Sequence, residues 1–305
     1  MVRVANTADR RPRLTRVDEP DELRRRCERI RAAGLRLGLV PTMGSLHAGH
    51  GELIQRSRAE CDRTVVSIFV NPTQFGPGED FDRYPRSLEA DLAVCAELGV
   101  DLVYVPSEAA MYPEGFATRI SVRGPLADTL EGAHRPGHFE GVATVVTKLL
   151  VTARPDRAYF GHKDAQQCAI VRRLAADLDT GTEIVVCPTV RDPDGLALSS
   201  RNARLDAAER RQALAIPAAL AAADAAFRRG ERDPVRIRDL VLGRLAESPA
   251  LAADYVAVVD AETFAPVTDM NVRCEILIAA RMGQTRLIDV LTPGTDERLV
   301  VGTGG

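Results

Sequence analysis

The sequence predicts an α/β fold in which helices cover both faces of a parallel sheet, followed by a smaller α+β domain. Between residues 35 and 187, short apolar runs alternate with longer amphipathic stretches, which is typical of strands and helices that follow one another in turn. Beyond residue 206 the order changes, because helical patterns precede strand-like runs. The loop 188–202 between the two regimes is rich in Pro, Asp, Gly and Ser, so we place the domain boundary near Thr189.

The first domain is expected over residues 1–188, including a loose tail at 1–13, and the second over 189–292, with a tail at 293–305. In the first domain we expect strands at Leu37–Val40, Thr64–Val70, Leu102–Val105, Ala158–Phe160 and Glu183–Cys187. Its helices are expected near Ala48–Cys61, Ser87–Leu98, Val142–Ala153 and Asp164–Leu178. For the second domain we expect helices at Asp206–Arg229 and Val235–Ala246, and strands at Tyr255–Val259, Cys274–Ala279 and Thr285–Val290.

The composition excludes several classes of protein. The formal net charge of the 305 residues is −3, which argues against a general nucleic-acid surface. No stretch has the length of an apolar membrane-spanning helix, and residues 1–13 lack the apolar run of a signal peptide. The six cysteines include no CxxC pair, so we expect reduced thiols rather than disulfides or structural zinc. These features indicate a cytoplasmic protein that binds neither nucleic acid nor membrane.

Ligands of parallel sheets bind beyond the C-terminal ends of the strands, so the loops there are the candidate site. The first strand leads into PTMGSLHAGH (41–50) and then into a helix, whose N-terminus attracts phosphate. His47 and His50 are three residues apart, lie on one face and can both donate to phosphate oxygens. Gly44 and Gly49 leave room for a nucleotide. Such a histidine pair is also found in metal sites and as a structural pair, but the strand–turn–helix setting favours phosphate.

Two further loops carry amides and a lysine. Asn71 and Gln74 follow the next strand and are suited to clamp a hydroxyl or carboxylate, although a turn held by Asn71 explains the pattern equally well. In the later loop, Lys163 can place a positive charge on a triphosphate, and Asp164 can cap the following helix. Gln167 adds a second amide there.

The fourth loop, at the domain boundary, contains Ser199, Ser200 and Arg201. Two hydroxyls followed by arginine provide three phosphate-binding groups on a loop long enough to close. All histidines of the chain fall in these loops or in the segment 131–139: His47, His50, His134, His138 and His162. This clustering favours a site over scattered structural histidines.

Together these segments resemble the pantothenate synthetase (pantoate–β-alanine ligase) family from about Val17 to Val290. The resemblance is carried by PTMGSLHAGH (41–50), SIFVNPTQFGPGEDFDRYPR (67–86), EGAHRPGHFEGVATVVTKLL (131–150), YFGHKDAQQ (159–167), PTVRDPDGLALSSRN (188–202) and ARMGQTRLID (280–289). It implies a Rossmann-like nucleotidyltransferase fold of the HIGH superfamily. The implied reaction joins pantoate to β-alanine through a pantoyl-adenylate made from ATP, with Mg²⁺, and the implied assembly is a homodimer.

The resemblance also assigns roles to residues. It implies that ATP is bound by Met43, Gly44, Ser45, Leu46, His47, Ala48, Gly49, His50, Gly161, His162, Lys163, Asp164, Val190, Leu198, Ser199, Ser200 and Arg201. The implied catalytic residues are His50, the usual proton donor, together with His47, Lys163 and Arg201. Pantoate and β-alanine would contact Gln74, Gln167, Asn71 and His138, and Asp91 matches a carboxylate near the metal.

Three positions depart from the family pattern. His162 stands where Glu is usual, Leu198 where Met is usual and Val290 where Asn is common. Leu for Met nearly conserves volume, so we expect little effect. His162 would add a titratable group beside Lys163, which affects the expected pH optimum rather than the expected activity.

Three rival functions remain open from the loops alone. One is a nucleotidyltransferase acting on a phosphorylated alcohol, which has no need for both Gln74 and Gln167. Another is a class I aminoacyl-tRNA synthetase, which the short, acidic chain disfavours. The third is a nucleotide-binding regulator without catalysis, against which the complete set of histidines, lysine and Ser-Ser-Arg argues.

Overall fold

The structure, a computed structural model, describes residues 14–295. The predicted tail at 1–13 therefore lies outside the described residues, as does most of the tail at 293–305. A parallel sheet with the strand order β1-β4-β3-β2-β5-β6 forms the first domain. Its strands are β1 (Thr15–Val17), β2 (Leu37–Thr42), β3 (Arg63–Ile68), β4 (Leu102–Tyr104), β5 (Arg157–Gly161) and β6 (Glu183–Cys187).

Helices lie on both faces of this sheet, as predicted. The helices of this domain are α1 (Pro20–Ala32), α2 (Ala48–Glu60), α3 (Leu88–Glu97), α4 (Glu108–Met111), α5 (Pro125–Asp128), α6 (Glu131–His134), α7 (His138–Ala153) and α8 (Ala165–Asp177). Because successive strand residues point to opposite faces, Leu39 packs with α1 and α7, whereas Val40 packs with α2 and α3. Strands buried on both sides read as continuous apolar runs, which explains why β2 and β3 were predictable.

The second domain is a three-stranded antiparallel sheet covered by helices. Its elements are α9 (Ala207–Ala213), α10 (Ala215–Arg228), α11 (Pro234–Ala246), β7 (Leu251–Asp260), β8 (Cys274–Met282) and β9 (Thr285–Leu291). Apolar residues of α10 and α11, such as Leu220 and Val241, share a core with Ile276 and Ile278 of β8. The predicted α+β character is confirmed. The predicted boundary at Thr189 falls between β6 and α9 and remains a prediction.

Some elements differ from the expectation. Strand β1 and helix α1, which precede the first predicted strand, were not predicted, and neither were the short helices α4, α5 and α6. The single helix expected over 206–229 is divided at Leu214 into α9 and α10. Pro217 explains the division, because proline lacks an N–H and its ring clashes with the carbonyl four residues earlier, at Ala213, where α9 ends.

Ion pairs hold β9 of the second domain against the boundary loop and against the first domain. Arg191 makes a bidentate contact with Asp289 of β9, and both side chains are almost fully buried. Glu131 accepts from both terminal nitrogens of Arg286, also on β9. Removing one partner of such a pair typically costs about 3–5 kcal/mol, because the other charge is left buried. The second domain is therefore firmly seated beside the strand-end loops of the first.

Candidate active site

A cavity of about 230 Å³ opens at the C-terminal ends of β2, β3 and β5. It brings together all four loops that the sequence singled out. The predicted residues that line it are Met43, His47, Gly49, His50, Asn71, Gln74, Gly161, Lys163, Asp164, Gln167, Val190, Leu198, Ser199, Ser200 and Arg201. A second cavity of about 500 Å³ shares Lys163, Asp164, Gln167 and Arg201 with it.

Asp91 holds the first loop from behind. Its two carboxylate oxygens accept hydrogen bonds from Ser45 N at 2.9 Å and Leu46 N at 2.7 Å. Gly44 has a φ of +82°, and a Cβ there would lie 2.8 Å from Asp91 Oδ2. The space at Gly44 therefore admits Asp91, not the nucleotide that the sequence analysis expected. Asp91 is 3% exposed and, like Gly44–Leu46 and Ala48, does not line the cavity; its metal role remains a prediction.

His47 and His50 hold the start of helix α2 with one ring nitrogen each. His47 Nδ1 accepts from Gly49 N at 3.1 Å, and His50 Nδ1 accepts from His47 N at 3.3 Å. A Cβ on Gly49 would approach the His47 ring to 2.8 Å, so glycine makes room for that ring. In a neutral imidazole the nitrogen that does not accept carries the proton. Nε2–H of each ring is therefore the donor available for a ligand.

Both imidazoles are held neutral. Burial is the main cause that lowers the pKa of His47, and the positive charge of Lys163 lowers it further. For His50, burial together with His47 and Lys163 lowers the pKa to about 3. The ring centroids of this imidazole pair are 4.2 Å apart. The pair thus supplies hydrogen-bond donors and no positive charge.

Positive charge comes from Lys163 and Arg201, the cationic pair. Lys163 Nζ lies 3.3 Å from Asp164 Oδ2. Arg201 donates from Nε and Nη2 to the two oxygens of Asp80, each at 3.0 Å, and Arg204 donates to Asp80 at 2.8 Å. Burial alone would raise the pKa of Asp80, but these two arginines outweigh it and lower that pKa to about 2. Asp80 lies within the segment 67–86 that carries the family resemblance, but its role was not predicted.

The two amide side chains of the second loop, Asn71 and Gln74, have different surroundings. Gln74 lines the cavity, as predicted. Asn71 is 2% exposed. Its Oδ1 accepts hydrogen bonds from the hydroxyls of Tyr112 and Thr73, and its Nδ2 donates to Gln74 Oε1 and to the Gly141 carbonyl. These contacts show that Asn71 supports Gln74, and the turn that the sequence left as an alternative is present at Pro72–Gln74.

Two predicted histidines lie outside the cavity. His162 Nε2 is 3.1 Å from Glu275 Oε1 of β8, so its side chain faces the second domain and not the cavity beside Lys163. This placement contradicts the expectation that the His162 ring titrates within the phosphate site. His138 Nδ1 contacts the Gln74 carbonyl at 2.8 Å, and its Nε2 lies 3.1 Å from Arg135. His138 therefore supports the Gln74 backbone, and its direct contact with substrate remains a prediction.

One side of the cavity is apolar, which the sequence analysis missed. The lining includes Phe69, Val142, Val145, Val146 and Leu149. Most of these residues come from one face of helix α7, and the i, i+3, i+4, i+7 spacing of its apolar residues could have revealed that face. This side can accept the hydrocarbon part of a small ligand. Val290, one of the three departures from the family pattern, is fully buried between the domains with Phe264 and Leu277.

Taken together, the fold and the cavity define a Rossmann-like nucleotidyltransferase: a parallel sheet whose strand-end loops place helix-capping imidazoles, a lysine and Ser-Ser-Arg around one space. A family model described as pantoate-beta-alanine ligase matches residues 15–292. The chain therefore belongs to the pantoate–beta-alanine ligase family.

Individual relatives agree with this assignment. The bifunctional pantoate ligase/cytidylate kinase of Thermosynechococcus vestitus is 54% identical over 255 residues, which are 83% of this chain and 50% of that protein. The chain thus spans half the length of that relative. The crystal structure of pantothenate synthetase from Thermus thermophilus is 46% identical with a TM-score of 0.86, covering 91% of this chain and 99% of that one. Pantoate-beta-alanine ligase from Francisella tularensis, complexed with beta-gamma ATP and beta-alanine, is 33% identical with a TM-score of 0.74, covering 92% and 97%.

Proposed function

We propose that the protein condenses (R)-pantoate with β-alanine to pantothenate through a pantoyl-adenylate, releasing AMP and pyrophosphate. The observation that carries the proposal is the single cavity that combines the cationic pair, the imidazole pair, the amides of Gln74 and Gln167 and an apolar side. A triphosphate needs the cationic pair and the imidazole pair, and a branched hydroxy acid needs the amides and the apolar side. The crystal structure of the Francisella relative with beta-gamma ATP and beta-alanine supports the same substrate classes.

The first step activates the acid. A carboxylate oxygen of pantoate attacks the α-phosphorus, the bond to the β-phosphate breaks, and pyrophosphate leaves. An anion must approach a polyanion, so the barrier is mainly electrostatic. We assign charge neutralisation to Lys163 and Arg201, and hydrogen bonding of the phosphate oxygens to His47, His50, Ser199 and Ser200. The predicted ATP contacts that line the cavity belong to this proposal: Met43, His47, Gly49, His50, Gly161, Lys163, Asp164, Val190, Leu198, Ser199, Ser200 and Arg201.

Hydrogen bonds from the imidazole pair suit this step because the rings need no proton transfer to act. A neutral Nε2–H donor stabilises the negative charge that develops on the phosphate oxygens. An arriving polyanion also favours the protonated form of a nearby histidine. His50 is therefore placed to deliver a proton in the later part of the reaction, as the family resemblance implies.

Mg²⁺ is proposed to enter with ATP. Magnesium is usually bound by one or two carboxylates together with substrate phosphates, rather than by an all-protein cage. Residues 14–295 contain no group of three or more His, Cys, Asp or Glu side chains that could hold a metal, and Asp164 is the cavity carboxylate next to Lys163. These donors fit an ion carried by the triphosphate, whose charge it would reduce. Asp91 remains the alternative ligand that the resemblance implies.

In the second step the uncharged amine of β-alanine attacks the acyl carbon, AMP leaves, and the amine loses a proton. The anhydride must be kept from water, and the Ser-Ser-Arg loop and the second domain are proposed to cover it. The Glu131–Arg286 ion pair between the domains supports such a cover. With ATP and pantoate alone, we expect the adenylate to stay on the enzyme; rapid, steady AMP release would contradict this.

The decisive experiment measures pyrophosphate and AMP release with ATP and pantoate, with and without β-alanine. We expect one pyrophosphate per active site without β-alanine and continuous release of both products with it. Transfer of a nucleotide to a phosphorylated alcohol would support the rival nucleotidyltransferase. Nucleotide binding without turnover of any of these substrates would support the regulator.

A homodimer and a cytoplasmic location complete the proposal. The dimer is supported by the family resemblance, and light scattering of the purified protein tests it. The location is supported by six cysteines that are all free and buried, as in proteins of reducing compartments. Within residues 14–295, no helix combines the length and apolarity that crossing a membrane requires.

A further inference from the structure

Tyr112 lies outside every motif described above, yet hydrogen bonds connect its hydroxyl to the cavity. It directly follows the short helix α4, and its Oη donates to Asn71 Oδ1 over 2.7 Å. Asn71 Nδ2 donates in turn to Gln74 Oε1 over 3.0 Å. A continuous path therefore runs from Tyr112, through Asn71, to a side chain that lines the cavity.

The orientation of the Asn71 amide is fixed by backbone groups that cannot exchange roles. The Thr73 N–H, which can only donate, faces Oδ1 at 3.4 Å. The Gly141 carbonyl, which can only accept, faces Nδ2 at 3.1 Å. The oxygen and nitrogen of an amide must be assigned from such partners. Here the partners on both sides agree, and the Thr73 hydroxyl adds a further donor to Oδ1 at 2.9 Å.

This orientation determines which end of Gln74 faces the ligand. Because Asn71 presents an N–H, Gln74 presents its oxygen to Asn71 and keeps Nε2 on the cavity side. There Nε2 contacts Met43 Sδ at 3.1 Å, and a thioether is only a weak acceptor. A hydrogen-bond donor of Gln74 is thus left for the substrate.

We propose that Tyr112 and Asn71 are positioning residues that hold Gln74 as a donor, and that this polarity selects an acid with an acceptor oxygen beside Gln74. The inference deepens the proposed function and rests on it, since the carboxylate and hydroxyl oxygens of pantoate are acceptors. A substrate analogue with an ammonium group at the same place would set donor against donor. Gln74 therefore rejects such an analogue because of a tyrosine that does not touch the substrate.

The experiment measures binding by calorimetry, in the presence of a non-hydrolysable ATP analogue. The ligands are pantoate and two analogues in which one hydroxyl, at C2 or at C4, is replaced by an ammonium group. The variants are Asn71→Asp, which replaces the N–H facing Gln74 with an acceptor, and Tyr112→Phe. Tyr104→Phe is the matched control, because Tyr104 is a buried tyrosine of β4 outside the cavity. Thermal midpoints confirm that each variant is folded.

Asn71→Asp should reverse the orientation of the Gln74 amide and weaken pantoate binding about 100-fold. At least one ammonium analogue should bind to this variant as tightly as it binds to the parent, or more tightly. Tyr112→Phe should weaken pantoate binding about 3- to 10-fold, the effect of one hydrogen bond, and reduce the discrimination against that analogue. Tyr104→Phe should change neither. Equal losses for pantoate and both analogues in Asn71→Asp would overturn the inference, as would unchanged binding in both variants. Failure of the parent to bind pantoate would instead overturn the proposed function.

Discussion

The imidazole pair and the cationic pair line the same cavity but interact with an anion by different means. His47 and His50 are fixed by the start of helix α2 and by burial, and they are neutral donors. Lys163 and Arg201 are cationic side chains, and each contacts a carboxylate, Asp164 and Asp80 respectively. The comparison teaches that basic residues in a phosphate site are not equivalent. Burial makes neutral hydrogen-bond donors of the histidines, whereas the arginine guanidinium stays charged in proteins whatever surrounds it.

The largest effect is expected for the charge of Lys163. Lys163→Ala should slow adenylation about 10²–10³-fold, because roughly 3–4 kcal/mol of transition-state stabilisation is lost. Lys163→Gln should be almost as slow, since it keeps an N–H donor but removes the charge. Isotope exchange between pyrophosphate and ATP, with pantoate present, measures this step. Adenylation by Lys163→Ala within a few-fold of the parent would contradict the assignment.

For His50 we expect the rate of adenylation to depend on the Nε2–H hydrogen-bond donor and not on a positive charge. His50→Ala should slow adenylation about 10²-fold or more. His50→Gln places an N–H near the former Nε2 and should recover most of this loss, whereas His50→Asn mimics Nδ1 and should not. The same exchange assay measures all three variants. If His50→Asn were the more active of the two amides, the Nε2–H donor would not be the group that acts.

A substitution of Asp80 tests whether this carboxylate positions the Arg201 guanidinium for ATP. Asp80→Asn removes the charged, bidentate partner of Arg201 and should raise KM for ATP about 10-fold, with a smaller change in kcat. Steady-state kinetics measure the two constants separately. Asp82→Asn, in the same loop, is the matched control and should leave both constants unchanged. An equal effect of both variants would indicate a general charge effect of the loop.

The smallest effect concerns stability. The folded pKa of His50 is lowered to about 3, whereas the unfolded value is about 6.5. Below pH 6.5 the unfolded chain therefore binds a proton that the folded protein does not, and stability falls as the pH is lowered towards 3. His50→Gln should reduce this slope by at most about 1.4 kcal/mol per pH unit. Urea unfolding between pH 5 and 7 measures the slope, with the exposed His134→Gln as the control; identical slopes for His50→Gln and parent would show that His50 does not cause it.

The parallel sheet could be predicted because β2 to β6 carry apolar runs that local sequence displays directly. Strand β1 has only three residues and pairs with the distant β4, so its stability depends on long-range contacts that a local pattern does not contain. The division of the long helix at Leu214 was predictable in principle from Pro217. The alanine-rich pattern on both sides obscured it.

The site shows the same limit at the level of single residues. Motifs predicted which loops converge, and fifteen of the predicted site residues line one cavity. They could not predict that Gly44 accommodates Asp91, that His162 faces Glu275, or that both imidazoles are neutral. Each of these depends on a partner from a remote part of the chain or on the depth of burial. Sequence order records neither.

Because His47 caps helix α2 with one nitrogen and presents the other to the cavity, one ring serves both the folding of the chain and its chemistry. Serine, threonine or aspartate would cap the helix well but would leave the ligand without its donor. Selection for heat tolerance is thus opposed at this position by selection for turnover. In directed evolution, we expect stabilising changes to collect on the outer helices and to leave residue 47 untouched.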